Sequence, residues 1–139
     1  MILYYTTKDR VCGSFTAVSW ESEGGEKEDH DAFLFSLDRR LKFPVRNPEH
    51  AIFCRREWGP TFGLENDLSA RHSPFNKEDN GTSTGSGVTY IKEKKDAEPA
   101  DLLIKLLSGG SASKAAVSPL TGTNRDFTIV KMEVYKVSF

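Results

Sequence analysis

Apolar residues in this chain come in short bursts, each closed within a few positions by glycine, proline or a polar cluster. The most apolar burst, Ala32-Phe33-Leu34-Phe35-Ser36-Leu37, is too short for an ordinary helix and reads as a central strand buried on both faces. Ile2 to Val11 is rich in β-branched and aromatic residues and reads as a first strand, interrupted at Gly13 by a bulge or a close backbone approach. Phe15 to Trp20 resumes with alternation, and the polar run Glu21 to Asp31 reads as a solvated loop. A further strand is expected at Ala51-Ile52-Phe53-Cys54. Gly59 to Gly63 reads as a turn, followed by an extended piece near Leu64 to Leu68.

Ser73 to Gly87 is loop-like, and Val88 to Ile91 offers one more short strand. Leu102, Leu103, Leu106 and Leu107 fall at helical spacing after Pro99, and Gly109-Gly110 closes that helix. Phe127 to Val137 alternates throughout, with Phe127, Ile129, Lys131, Glu133 and Tyr135 expected on one face. Many short strands with few helices predict a mainly β domain, a two-sheet antiparallel β-sandwich with a few short peripheral helices.

The chain has 139 residues, the size of one domain. Nineteen basic residues against twenty acidic ones leave a formal charge of −1. A field that balanced gives no reason to expect nucleic acid as a partner. No apolar run approaches the roughly 18 residues that span a bilayer, so direct membrane insertion is not expected. With two cysteines, Cys12 and Cys54, and no basic leader before Tyr4-Tyr5, the expected setting is the reducing cytoplasm.

Five ordered blocks resemble the TLDc domain family of oxidation-resistance proteins. They are Cys12 to Trp20; Gly24-Gly25 with Asp31 to Leu37; Ala51 to Cys54; Gly59 to Gly63 with Asp67-Leu68; and Leu120-Thr121-Gly122 with Phe127 to Val137. The resemblance implies a single TLDc-like domain over residues 1–139 that lacks the helix and strand with which such domains usually begin. Residues 92–119 then form an insertion carrying the short helix. It also implies a non-catalytic protein-interaction module linked to oxidative-stress resistance. The partner it implies is the peripheral, cytosolic sector of the vacuolar proton-pumping ATPase (V-ATPase), whose assembly such a module regulates. Two acidic family positions fall on Asp31 and Glu133.

Each candidate residue also has a plainer reading. A strand glutamate such as Glu133 is commonly solvent-facing or half of a cross-strand pair. Trp20 and Trp58 lie at strand–loop junctions, where an exposed indole anchors an interface. Cys54 is the redox candidate, but a reactive thiol needs a lowered pKa, and free cysteine is more often simply buried. His30, His50 and His72 form no hydrolase pattern, and Glu26, Glu28, Asp29 and Asp31 lack the spacing of a calcium loop. No catalytic residue, cofactor or metal is expected. Two other readings stay open: a structural subunit of a larger assembly, whose neighbouring chain completes the sandwich, and a thiol-based antioxidant enzyme.

Overall fold

In the computed structural model, the described residues are 1–21, 24–55, 58–64, 67–71, 81–83, 89–90, 118, 120–121 and 126–138. The helix expected near Leu102 and the insertion at 92–119, apart from Ser118, lie outside them.

The first strand ends earlier than its β-branched run suggests. β1 (Ile2–Thr6) turns through Thr7 to Arg10 into β2 (Val11–Phe15). The Thr6 hydroxyl accepts the backbone N–H groups of Lys8 and Arg10, each at 3.3 Å, and Asp9 takes the left-handed conformation at φ 55°. Asp is one of the few residues that enters that region at modest cost. Asp38 then secures the start of β2, accepting the Val11 N–H at 2.8 Å and the Arg10 guanidinium at 3.0 Å.

Gly13 forms no bulge, because the β1–β2 register runs unbroken from Ile2↔Ser14 to Tyr5↔Val11. It is a close approach instead: a Cβ there would stand 2.4 Å from both the Ile2 carbonyl oxygen and the Phe35 ring. β2 ends at Phe15, so the alternation read through Trp20 is not strand. The polar run after it holds a short edge strand, β3 (Gly25–Lys27), which pairs with Ile52 to Cys54. Its charged residues suit an edge that faces water on one side.

β4 (Phe33–Ser36) buries Leu34 and Ser36 but leaves Phe33 and Phe35 half-buried, with Leu37 exposed in the turn that follows. The strand is therefore not buried on both faces as expected. That turn, with Arg40 at φ 55°, leads into β5 (Leu41–Pro44), a strand missed in the sequence. A single 3-10 turn at Pro48–His50 precedes β6 (Ile52–Cys54). Gly59 to Phe62 is strand rather than turn, within β7 (Trp58–Phe62), and the reversal comes at Gly63-Leu64 before β8 (Leu68–Arg71). β9 (Gly81–Thr82) and β10 (Asp126–Phe127) are short, and β11 (Ile129–Val134) closes the chain's regular structure.

Two antiparallel sheets result. One has the order β11-β1-β2-β4-β5 and the other β10-β9-β8-β7-β6-β3. Tyr4, Leu34 and Phe43 from the first sheet meet Ile52, Phe62 and Leu68 from the second in a core that admits no solvent. Burying side chains of this size is the main favourable term, about 1.5–3 kcal/mol each before entropy is counted.

The C-terminal run is not one continuous face. The chain passes from one sheet to the other at Thr128, so Phe127 pairs with Gly81 in the second sheet while Ile129 pairs with Thr6 in the first. The register then shifts between Tyr5↔Lys131 and Thr6↔Ile129, which makes Val130 an extra residue. Such a bulge reverses the inside–outside order. Ile129 is buried with Thr6, whereas Lys131 lies opposite half-buried Tyr5 on the outer face.

Candidate partner-binding surface

The outer face of the first sheet joins residues of the family blocks, Phe33 and Phe35 on β4 and Lys131 and Glu133 on β11, to Leu3 and Tyr5 of β1. Leu3, Tyr5, Phe33 and Phe35 are half-buried there. The Phe15 and Phe33 rings stack at 5.1 Å, and the Lys42 ammonium sits 4.3 Å from the Phe33 centroid. At the other flank the Lys131 ammonium lies 5.1 Å from the Tyr5 centroid. Both lysines thus cover aromatic faces while keeping their charge in water.

Glu133 stands on β11 at the margin of this face. Its partners lie two residues away in each direction along the chain: Lys131 at 2.5 Å on one carboxylate oxygen and the hydroxyl of Tyr135, just past the end of β11, which donates to the other. The cross-strand partner expected for it is Leu3, an apolar residue. Its side chain is 24% exposed against 63% for Lys131, so the pair presents a cation above a partly covered anion. Glu133 in turn raises the pKa of the Lys131 ammonium.

Asp31 is exposed and two residues ahead of β4. β4 and β11 are separated by β2 and β1, so Asp31 and Glu133 stand about 14 Å or more apart at ordinary strand spacing. The fold does not bring them together. The carboxylate with structural consequence is Asp29, in the run read as solvated. It is 5% exposed and accepts from the Thr16 hydroxyl at 2.5 Å, the Ala17 N–H at 2.8 Å and the Asp31 N–H at 2.9 Å. It holds the segment after β2 against the entrance to β4.

Trp20, 37% exposed, lies edge-on against Phe62 with centroids 5.4 Å apart, so its ring is anchored on the core and only part of it faces solvent. Trp58 opens β7 opposite Arg71, and its side chain lies outside the described residues. Cys54 is 2% exposed within the core cluster. The neighbouring Arg55 guanidinium lies 4.7 Å from the Phe53 centroid, on the face opposite the thiol. Cys12 is fully buried, and burial, helped by Asp38, pushes its thiol up to about 12. His50 contacts Glu26 at 3.1 Å and His30 contacts Glu28 at 2.7 Å. Among the described residues no three His, Cys, Asp or Glu side chains gather as metal ligands would.

The motif around Gly63 and Asp67 is a structural tie. Gly63 has φ +85°, and a Cβ on it would meet the Asp67 side chain at 2.7 Å. Asp67 is fully buried and accepts the Tyr90 N–H at 2.8 Å, while the Tyr90 hydroxyl donates to the Ala51 carbonyl at 2.6 Å. Little near either carboxylate in sequence marks it for burial, because their partners Thr16 and Tyr90 lie 13 and 23 residues away. The only local signal is a glycine ahead of an acidic residue and an apolar one.

The family model of the TLDc domain matches residues 1–138. Comparison with curated proteins and with solved structures gives no match. No helix among the described residues is long and apolar enough to cross a membrane.

Proposed function

The chain belongs to the TLDc domain family, and we propose on that basis that it is a non-catalytic interaction module linked to oxidative-stress resistance, acting in the cytoplasm on the peripheral sector of the V-ATPase. The observation that carries this reading is the extent of the family match, residues 1–138, which includes every motif block rather than one. The accessible polar groups of the outer sheet face support a binding role. Lys42, Lys131 and Glu133 surround half-buried aromatic rings, the mixture of apolar area and fixed charge that protein interfaces use. Burial of both thiols favours binding over thiol chemistry, since a nucleophilic thiolate needs access and a lowered pKa. Charge reversal at Glu133 tests the reading: binding of the ATPase peripheral sector weakens if the β11 margin is the contact. Binding unchanged by Glu133→Lys, in a variant that folds like the parent, moves the contact elsewhere.

A second reading, a structural subunit completed by a neighbouring chain, is favoured by one observation. β11 is paired on one side only among the described residues, and strand addition to such an edge is a common recognition mode.

A further inference from the structure

We propose that β11 pairs antiparallel with β11 of a second copy of this chain, about a two-fold axis through Met132, joining the two five-stranded sheets into one. The inference does not rest on the ATPase reading, although it engages the same β11 margin, and it sharpens the second reading by naming the neighbouring chain.

The edge is apolar where edges are ordinarily blunted. Val130 and Val134 on β11 are 54% and 68% exposed, and Tyr135 and Val137 just beyond its end are 43% and 39% exposed, together four of the seven exposed large apolar side chains among the described residues. Leaving them in water forfeits the burial that a neighbouring strand supplies.

Backbone parity limits how a second strand docks. The Tyr135 N–H donates to the Met1 carbonyl at 2.7 Å, and the register from there to Tyr5↔Lys131 is unbroken. In an antiparallel ladder every second residue turns its N–H and C=O toward the same neighbour. Tyr135, Glu133 and Lys131 therefore bond to β1, and Met132 and Val134 turn their backbone groups outward. A two-fold pairing must place outward residues opposite outward residues, so its centre falls on a residue and never between two.

Overlap and charge then select the centre, since an axis at Lys131 or Met132 pairs five residues of β11 and one at any other β11 residue pairs three or fewer. With the axis at Lys131, that lysine faces its own copy; at Glu133, the two glutamates face each other. At Met132, Lys131 of each copy stands opposite Glu133 of the other, twice over, and Val130 stands opposite Val134. Directly opposed like charges destabilise a ladder and opposite charges stabilise it. An edge lysine and a bulge ordinarily repel foreign strands. Here the lysine's counter-charge lies two residues along, so the strand admits one that offers the same charges in reverse order, which is its own copy. The interface is isologous and closes on itself.

Sedimentation velocity on the purified full chain over a concentration series is the test. The parent is expected to show a monomer–dimer equilibrium, and Lys131→Glu and Glu133→Lys are each expected to weaken it by about tenfold or more. Circular dichroism and melting temperature establish that both variants are folded. The double variant Lys131→Glu/Glu133→Lys restores the dimer. An equimolar mixture of the two single variants forms a heterodimer, because one offers two negative and the other two positive charges. A parent that stays monomeric through the series, singles that dimerise as tightly as the parent, or a mixture that stays monomeric overturns the proposal. Because the assay contains only this chain, none of these results bears on ATPase binding.

Discussion

Thr16 donates its hydroxyl to the carboxylate of Asp29 at 2.5 Å, across a gap of 13 residues, and the same carboxylate oxygen takes the Ala17 N–H. Asp29 rather than its neighbour Asp31 therefore fixes the path between β2 and β4. Replacing a buried carboxylate that accepts several hydrogen bonds strands its donors, each bond to a charged group being worth about 1.5–3 kcal/mol. Asp29→Ala is expected to lower stability by about 3 kcal/mol. Asp31→Ala, at an exposed position, stays within about 0.5 kcal/mol of the parent. Urea denaturation of the two variants side by side checks the ordering, and equal losses would remove Asp29 from its structural role.

Gly13 has a different cause from the glycines of turns. A methyl group there would strike the Ile2 carbonyl, a backbone atom held in the β1–β2 ladder, as well as the Phe35 ring. Gly25 has positive φ at 62° but open space around it. Gly13→Ala is expected to cost about 3 kcal/mol through overpacking, and Gly25→Ala about 1 kcal/mol through backbone strain alone. Melting temperatures give the comparison; a larger loss at Gly25 contradicts it.

Alkali is expected to destabilise the fold in stages. The Cys12 thiol titrates at about 12 when folded against 9.0 when free, and burial also raises the hydroxyls of Tyr4 and Tyr90 above 10.0. A raised acid pKa means that the native state holds its proton longer, so stability is complete below the unfolded value and declines above it. The Cys12 contribution falls away from pH 9.0 up to about 12, and the two tyrosines join from pH 10.0. Each group adds a slope of about 1.4 kcal/mol per pH unit inside its window. Urea midpoints measured from pH 8 to 11 should fall with this curvature, and Cys12→Ala should remove the part that begins near pH 9. A flat profile contradicts burial of these groups.

The legible parts of the fold were those governed by neighbours in sequence. The β-branched and aromatic run from Ile2 marks a strand that forms at its start but ends at Thr6 rather than Val11, and the run Ile52 to Cys54 forms where expected. The family blocks were legible as well, since they are strings of residues. What was hidden depends on distant partners. The sheet change at Thr128 requires β9 and β1 to be in place on either side. The bulge at Val130 leaves no composition signal and yet decides that Lys131 and Glu133 face outward. The acidic run Glu26 to Asp31 reads as uniform, but Thr16 selects Asp29 for burial. For the candidate surface, Glu133 was visible as a motif position, whereas its capture by Lys131 and Tyr135 follows from the outward face that the bulge creates.

Proposed binding to the peripheral sector of the V-ATPase is tested most directly by titrating purified, tagged chain against that isolated sector at near-physiological salt, with stoichiometry quantified. Saturable, fixed-stoichiometry binding is expected of the parent and at least about tenfold weaker binding of Glu133→Lys, the scale of losing a charge contact at an interface. A folded parent that shows no saturable binding to the sector contradicts the proposal.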